Sequence, residues 1–317
     1  MSLHRSILFA IALPLSPLIA QAPPISPPAS AAKLPILPGA RVTVLVDNLA
    51  GDPPLLGEWG AAFLVETDRH RILFDTGGGQ VILGNAKALG VAFRPLDAIV
   101  LSHGHDDHTG GLDQVLALSG PVRLFVHPAA FATRYWKEGP KVESEDFAIP
   151  RTQLAQRGVT IVETKDPTAV CPGVMVTGQI PRNSTFEDTG VRAFAFLDPD
   201  LKIPDPILDD QALCFRVPEG VVVILGCGHA GVVNTLDQVC RLLGESSVYA
   251  VFGGTHLLGA SPERMAQTLA AFRRFRVQKI LLSHCTGLKA QAAFLTKFPG
   301  HCDWPASGTR VTFGKLP

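Results

Sequence analysis

The stretch that most constrains this chain is Leu101–Gly111, LSHGHDDHTGG. It follows Ala98–Leu101, a short apolar run that reads as a buried strand, and leads into Leu112–Leu118, whose apolar spacing reads as a helix. The chain has 10 histidines, and three of them, His103, His105 and His108, fall in this loop with Asp107. A solvated polar loop is the competing reading. Imidazoles and a carboxylate between a strand and a helix are, however, the ligands and the setting of a zinc, manganese or iron site. His103 and His105 are two apart, so in extended chain they face one side. Asp107 and His108 are adjacent and diverge unless the chain turns. The pattern suits two neighbouring ions, one on His103 and His105, the other on Asp107 and His108.

Two ions need further ligands, and other strand ends offer them. His229 in ILGCGHAG follows the strand Val221–Leu225, His256 in VFGGTHL follows Val248–Phe252, and His284 in LLSHCTG follows Lys279–Ser283. Loops on one rim of a sheet are where α/β proteins place their sites. Asp75 in ILFDTGGG ends the strand Arg71–Asp75. Either it orients a ligating imidazole or it caps the turn that follows.

Further strands are expected at Arg41–Asp47, Ala61–Glu66, Val122–Val126, Val159–Glu163, Val174–Ile180 and Ala212–Val217. Helices are expected at Gln80–Leu89, Val232–Leu243 and Gly287–Phe298, and another opens at Ser261-Pro262-Glu263 with a hydroxyl cap and a first-turn proline. Hairpins mixed with strand–helix alternation fit an α/β single domain of two sheets between outer helices. The irregular stretch 128–210 reads as an insertion or cap on that domain.

Residues 1–22 have the layout of a secretory signal peptide: Arg5, the apolar run Ile7–Ile19, then Ala20-Gln21-Ala22. The run is short of the roughly 20 residues that span a bilayer. The expectation is an exported protein, periplasmic or secreted, with no stable membrane span after cleavage. Residues 23–40 read as a proline-rich linker, so folding is expected to begin near Arg41. Lys and Arg number 28 and Asp and Glu 28. That balance offers no basic stripe for nucleic acid and no acidic tail, and leaves a small molecule as the expected partner. Of the 6 cysteines, Cys214 and Cys240 sit on apolar faces and read as free and buried. Cys171 and Cys302 are the best remaining candidates for a disulfide. Arg134, Lys137, Lys141 and Arg182 read chiefly as a solvated face, with contact to an anionic substrate as the other possibility.

FDTG at Asp75, SHGHDDHTGG at His103–His108 and the later His229 and His284 resemble the metallo-β-lactamase superfamily. VDN at Asn48, GNAKALG at Gly84, GCGHAGVVNTL at Gly226, GGTHL at Gly253 and HCTG at His284 are similar to one subgroup. That subgroup is labelled 7,8-dihydropterin-6-yl-methyl-4-(β-D-ribofuranosyl)aminobenzene 5′-phosphate synthase. The resemblance implies a four-layer αββα sandwich and two divalent ions, with zinc foremost and manganese or iron as alternatives. It implies that His103, His105, Asp107, His108 and His284 are ligands. Where the superfamily has a bridging aspartate, this chain has Gly226-Cys227-Gly228-His229, so His229 is expected to ligate in its place and Asp210 is a further candidate. Trp59 stands where the subgroup usually has histidine, and Gly228 where it has serine; both are expected near the substrate.

The expected function is a hydrolase. A divalent ion lowers the pKa of a bound water from about 15.7 to about 7, and a second ion can hold a substrate oxygen. Asp107 would position the nucleophile and His256 would serve as acid or substrate contact. Asp75, Asp210, Cys227, Arg182 and Trp59 would support ligands or meet substrate. A phosphoester, a lactone or a similar small molecule is the expected substrate. The alternatives are the subgroup's synthase, a carbon–carbon bond-forming transfer with pyrophosphate loss, or a non-catalytic metal- or ligand-binding protein.

Overall fold

The computed structural model describes residues 34–187 and 195–316. In chain order the strands are β1 Gly39–Val46, β2 Ala62–Thr67, β3 Arg71–Phe74, β4 Ala98–Val100 and β5 Val122–Val126. Next come the pair β6 Arg134–Glu138 and β7 Lys141–Glu145, then β8 Val159–Glu163, β9 Thr168–Cys171 and β10 Val174–Val176. The last are β11 Ala212–Val217, β12 Gly220–Leu225, β13 Ala250–Gly253, β14 Lys279–Leu282 and β15 Arg310–Gly314. The helices are α1 Ile82–Ala88, α2 Asp106–Thr109, α3 Leu112–Ser119, α4 Arg151–Gln156, α5 Val232–Leu243, α6 Pro262–Arg274 and α7 Leu288–Lys297.

One sheet runs in the order β15-β1-β2-β3-β4-β5-β8 and the other in the order β14-β13-β12-β11-β10-β9. Alternating side chains in each strand point to opposite faces, and here both faces are covered. Phe63 and Val65 of β2, Ile72 and Phe74 of β3, Leu213 and Phe215 of β11, and Val222 and Ile224 of β12 share the core between the sheets. The alternate residues Leu64, Leu73 and Ile99 meet Ile82 of α1, Val115 of α3 and Leu154 of α4. On the other side Val221, Val223 and Leu225 meet Leu236 and Val239 of α5, Phe272 of α6 and Phe294 of α7. Three apolar layers between four structural layers make the expected αββα sandwich. As expected, Ser261 caps α6, its hydroxyl accepting from the Arg264 amide.

Three expectations change. The fold begins before Arg41: β1 starts at Gly39, Leu34 and Leu37 are buried, and Ile36 bridges Arg216. The proposed signal peptide and most of the linker lie outside the described residues. Second, 128–210 is not simply an insertion. β8 pairs in parallel with β5, and β9 and β10 extend the second sheet beside β11. Only β6 and β7 stand apart, as a two-stranded hairpin. Of the three in the sheets, β8 and β10 coincide with expected strands, and β9 Thr168–Cys171 is the one the sequence did not show. Third, all six cysteines are free. Cys171 ends β9 and Cys302 bridges Ile280 of β14, at opposite edges of the second sheet. Strands lie about 4.8 Å apart, far too wide across a sheet for a bond that needs Cα atoms within about 7 Å.

β3 and β4 run parallel in the first sheet, and β12, β13 and β14 run parallel in the second. Their carboxyl ends deliver Asp75, the Ser102–His108 loop, Cys227 and His229, His256, and His284 to one rim. Sites in open α/β sheets form at such ends. Among the described residues no helix is long and apolar enough to cross a membrane.

Candidate metal centre

The two sheets meet at this rim without room for an extra methyl. A Cβ on Gly226 would lie 2.0 Å from Ser102 Oγ and 2.9 Å from Asp75 Oδ2. Asp75, His256 and His284 adopt left-handed backbone conformations, with φ of 59°, 48° and 52°. Non-glycine residues held there cluster at functional sites.

Hydrogen bonds to the far side of each ring set which nitrogen faces inward. Asp75 Oδ1 accepts from the Ser102 amide at 2.7 Å, and Asp75 Oδ2 accepts from Ser102 Oγ at 2.7 Å and from His108 Nδ1 at 2.7 Å. His108 therefore presents Nε2. Ser102 Oγ, having given its proton to Asp75, accepts from His103 Nδ1 at 2.9 Å, so His103 also presents Nε2. His284 Nδ1 donates to Asn48 Oδ1 at 2.9 Å, leaving Nε2 inward again. Of the two readings for Asp75, orienting an imidazole is the one its contacts match.

The inward atoms form two clusters. In one, Asp107, His108, Cys227 and His284 each place a donor atom within 4.8 Å of the others. Cys227 Sγ is 3.2 Å from His108 Nε2 and 3.2 Å from His284 Nε2, and Asp107 Oδ2 is 3.2 Å from His284 Nε2. In the other, His103 groups with His105 and Asp107, and also with Cys227 and His229. His103 Nε2 and His105 Nδ1 stand 3.0 Å apart. The rings of His103 and His229 are 4.8 Å apart, and those of His105 and His229 5.0 Å. Cys227 and Asp107 each belong to both clusters, whereas His229 belongs to one. Asp210 joins neither: its Oδ2 accepts from the Ala230 amide at 2.7 Å and so fixes the loop that carries His229.

These residues fit a bound cation. Burial holds the imidazoles of His103 and His229 well below their usual range and His105 down to about 3, so they stand as neutral bases. Burial alone would raise the Asp107 carboxyl, but the imidazoles of His108 and His284 outweigh it and keep it ionised. Burial likewise opposes charge on His108, yet Asp107 and Asp75 push it up to about 9. Neutral nitrogens converging at 3.0 Å, beside an ionised carboxylate, present the lone pairs a divalent ion takes.

The clusters form the floor of a cavity of about 530 Å³, walled by Trp59, Trp136, Lys137, Phe196 and His256. The Trp59 ring lies 5.0 Å from that of His284 and is 55% exposed. The His256 ring lies 4.5 Å from that of His229. Contact with the Cys285 sulfur raises the His256 pKa although burial opposes it. Arg182 does not line this cavity; it donates to the Ile207 carbonyl at 2.7 Å.

Five residues of the site escaped the sequence. Arg134 is not a solvated residue: it is buried, with Nε 2.7 Å from Asp205 Oδ2 and Nη2 2.9 Å from Asp209 Oδ2. Asp209 Oδ2 in turn accepts from the Gly104 amide at 2.7 Å, between His103 and His105. The hairpin that supplies Trp136 and Lys137 is therefore tied to the histidine loop. Glu145, opposite Arg134, is pushed up to about 7 by burial and by Asp106. Asn48 and Cys285 were present only as parts of the VDN and HCTG blocks.

An αββα sandwich with histidines and an aspartate gathered where its two sheets meet defines a class of metal-dependent enzymes. This chain belongs to the metallo-β-lactamase superfamily, whose sequence profile matches residues 60–238. It is 30% identical over 274 residues to a 7,8-dihydropterin-6-methyl-4-(beta-D-ribofuranosyl)-aminobenzene-5'-phosphate synthase of Methanocaldococcus jannaschii, covering 81% of this chain and 91% of that one. Among solved structures it is similar to Tm1679, a metal-dependent hydrolase of the β-lactamase superfamily. The TM-score is 0.71 at 28% identity, covering 86% of this chain and 98% of the other. A diphosphatase of the PhnP family shares the fold, with a TM-score of 0.52 at 13% identity over 87% of this chain and 97% of that one.

Proposed function

We propose that the protein is a metal-dependent hydrolase of a small phosphoester, lactone or similar molecule. The observation that carries this is the pair of donor clusters sharing one sulfur on the floor of a cavity of about 530 Å³. His103, His105 and His229 would hold one ion, and Asp107, His108 and His284 the other. Such ions, zinc foremost, supply a water-derived nucleophile at neutral pH and a Lewis acid for the substrate oxygen. The ionised Asp107 carboxylate accepts a hydrogen bond from the attacking water and fixes its direction. His256 stands one ring beyond His229 and, with its pKa raised, gives a proton to the leaving group. Trp59, Trp136 and Phe196 exclude water from the apolar part of the substrate, and Lys137 meets an anionic part.

The 30% identity to a synthase favours a second reading, a transferase that releases pyrophosphate. An exported protein would be separated from a cytoplasmic phosphoribosyl substrate, so the proposed signal peptide favours hydrolysis. Amino-terminal sequencing of exported protein, expected to begin at Pro23, checks that step. The function is tested on the purified, zinc-loaded protein with a panel of phosphoesters and lactones. Turnover abolished by a chelator and restored by zinc supports hydrolysis. A full metal load with no turnover on the panel rejects it, and pyrophosphate release would establish the transferase instead.

A further inference from the structure

We propose that the Cys227 thiolate is a ligand shared by both ions, occupying the place of the superfamily's bridging aspartate. The inference rests on reading the site as a metal centre. Cys227 Sγ lies 3.2 Å from both His108 Nε2 and His284 Nε2, and it also groups with His103 and His229. Asp107 also belongs to both clusters, but two other nearby carboxylates are already engaged. Asp75 is committed to Ser102 and His108, and Asp210 to the Ala230 amide. The backbone is shaped to deliver the sulfur: Gly226 fits only because it lacks a Cβ, and Gly228 turns the chain at a φ of 66°.

The surroundings also set Cys227 apart from an ordinary buried cysteine. Cys214 and Cys240 lie in an apolar cluster with the α5 side chains. Cys227 is 3% exposed, yet its sulfur faces imidazoles. Cys285 is close by, in a side-chain hydrogen bond with Cys227. Its Sγ donates to the Cys227 carbonyl at 3.3 Å and accepts from the His256 amide at 3.4 Å. Its one donor group contains Cys227 and His256 but none of the Leu101–Gly111 residues. On ligation Cys227 loses its thiol proton to solvent as the metal–sulfur bond forms. A shared thiolate biases the centre toward zinc and cadmium and away from magnesium and calcium.

X-ray absorption on the zinc-loaded full chain, kept reduced, reads this without relying on turnover. Zinc–sulfur scattering appears at about 2.3 Å. A shared thiolate gives close to one sulfur per zinc at full load, unchanged in Cys285→Ser and lost in Cys227→Ser. In a cobalt titration the thiolate charge-transfer absorption should grow through both equivalents. An average near half a sulfur per zinc, or cobalt absorption complete at one equivalent, would make Cys227 the ligand of one ion and overturn sharing. Loss of sulfur in Cys285→Ser would assign the ligand to Cys285 and also overturn it. Should Cys227→Ser fail to fold, the wild-type and Cys285→Ser measurements decide. Zinc bound with no sulfur refutes this inference alone, whereas failure to bind zinc refutes the metal-centre reading beneath it.

Discussion

Replacing Asp75 by Asn separates a carboxylate that orients a ligand from one that only caps a turn. The substitution keeps the volume of a fully buried side chain. Asn Oδ1 can still accept from the Ser102 amide, 2.7 Å away in the native protein. Its amide nitrogen then faces Ser102 Oγ and His108 Nδ1, which both lie 2.7 Å from Asp75 Oδ2. Two N–H groups cannot face each other at that distance, so His108 must move its proton to Nε2 or rotate. Either change removes the Nε2 lone pair from the cluster of Asp107, Cys227 and His284. Loss of such an outer hydrogen bond typically weakens metal affinity about 10- to 100-fold, or roughly 1.4–2.7 kcal/mol. The lost bond to a carboxylate also costs the metal-free protein about 1.5–3 kcal/mol. At roughly 2–4 °C per kcal/mol for a domain near this size, Tm falls by about 3–12 °C. Zinc titration against a competing chelator gives the affinity, and thermal melting of the metal-free protein gives the stability. A lower Tm with zinc affinity within twofold of wild type would refute the orienting role and leave Asp75 a turn cap.

Three other outcomes follow from the same contacts. Asp209→Ala leaves Arg134 with Asp205 alone and the Gly104 amide without its acceptor; it should cost about 3 kcal/mol in urea unfolding, the low end for breaking a buried ion pair, and a loss below about 1 kcal/mol would contradict the buried clamp. His256→Gln should lower kcat by about 10²–10⁴ while metal content stays at the wild-type level, and unchanged kcat would remove His256 from proton transfer. The buried imidazoles should make the metal-free protein lose stability as pH falls below about 6.5, against an opposing gain from Glu145 and Asp210, both pushed up to about 7 by burial. The unfolded chain then takes up protons that buried His103, His105 and His229 refuse, and for His105 the loss continues down to about 3. Chemical unfolding of the wild type beside His105→Gln at a series of pH values tests this: the wild type should lose stability relative to the variant between pH 6.5 and 4.5, and a constant difference would contradict it.

Much of the site was legible because its signals are local. His103, His105, Asp107 and His108 share one loop, and His229, His256 and His284 each follow an apolar strand, so strand ends alone pointed to one rim. The features that escaped depend on distant partners. Arg134 looks like a surface cation until Asp205 and Asp209, 71 and 75 residues away, bury it. The sulfur of Cys227 meets His108 across 119 residues and His284 across 57, and no spacing rule connects them. Within 128–210 the strands β8 and β10 are expected, but β9 is only 4 residues long, and the places of β8 and β10 in the two sheets depend on distant pairing. Strands as short as β9 carry little periodicity; β10 is fixed by pairing with β11, and β9 by pairing with β10.

The central claim is that two donor clusters hold two ions. Metal analysis of the purified full chain tests it most directly, beside His105→Ala and His229→Ala. The structure predicts close to two transition-metal ions per wild-type chain, with at least one lost from each variant. A wild-type chain that binds one ion or none, or a His229→Ala variant that keeps the full load, would contradict it.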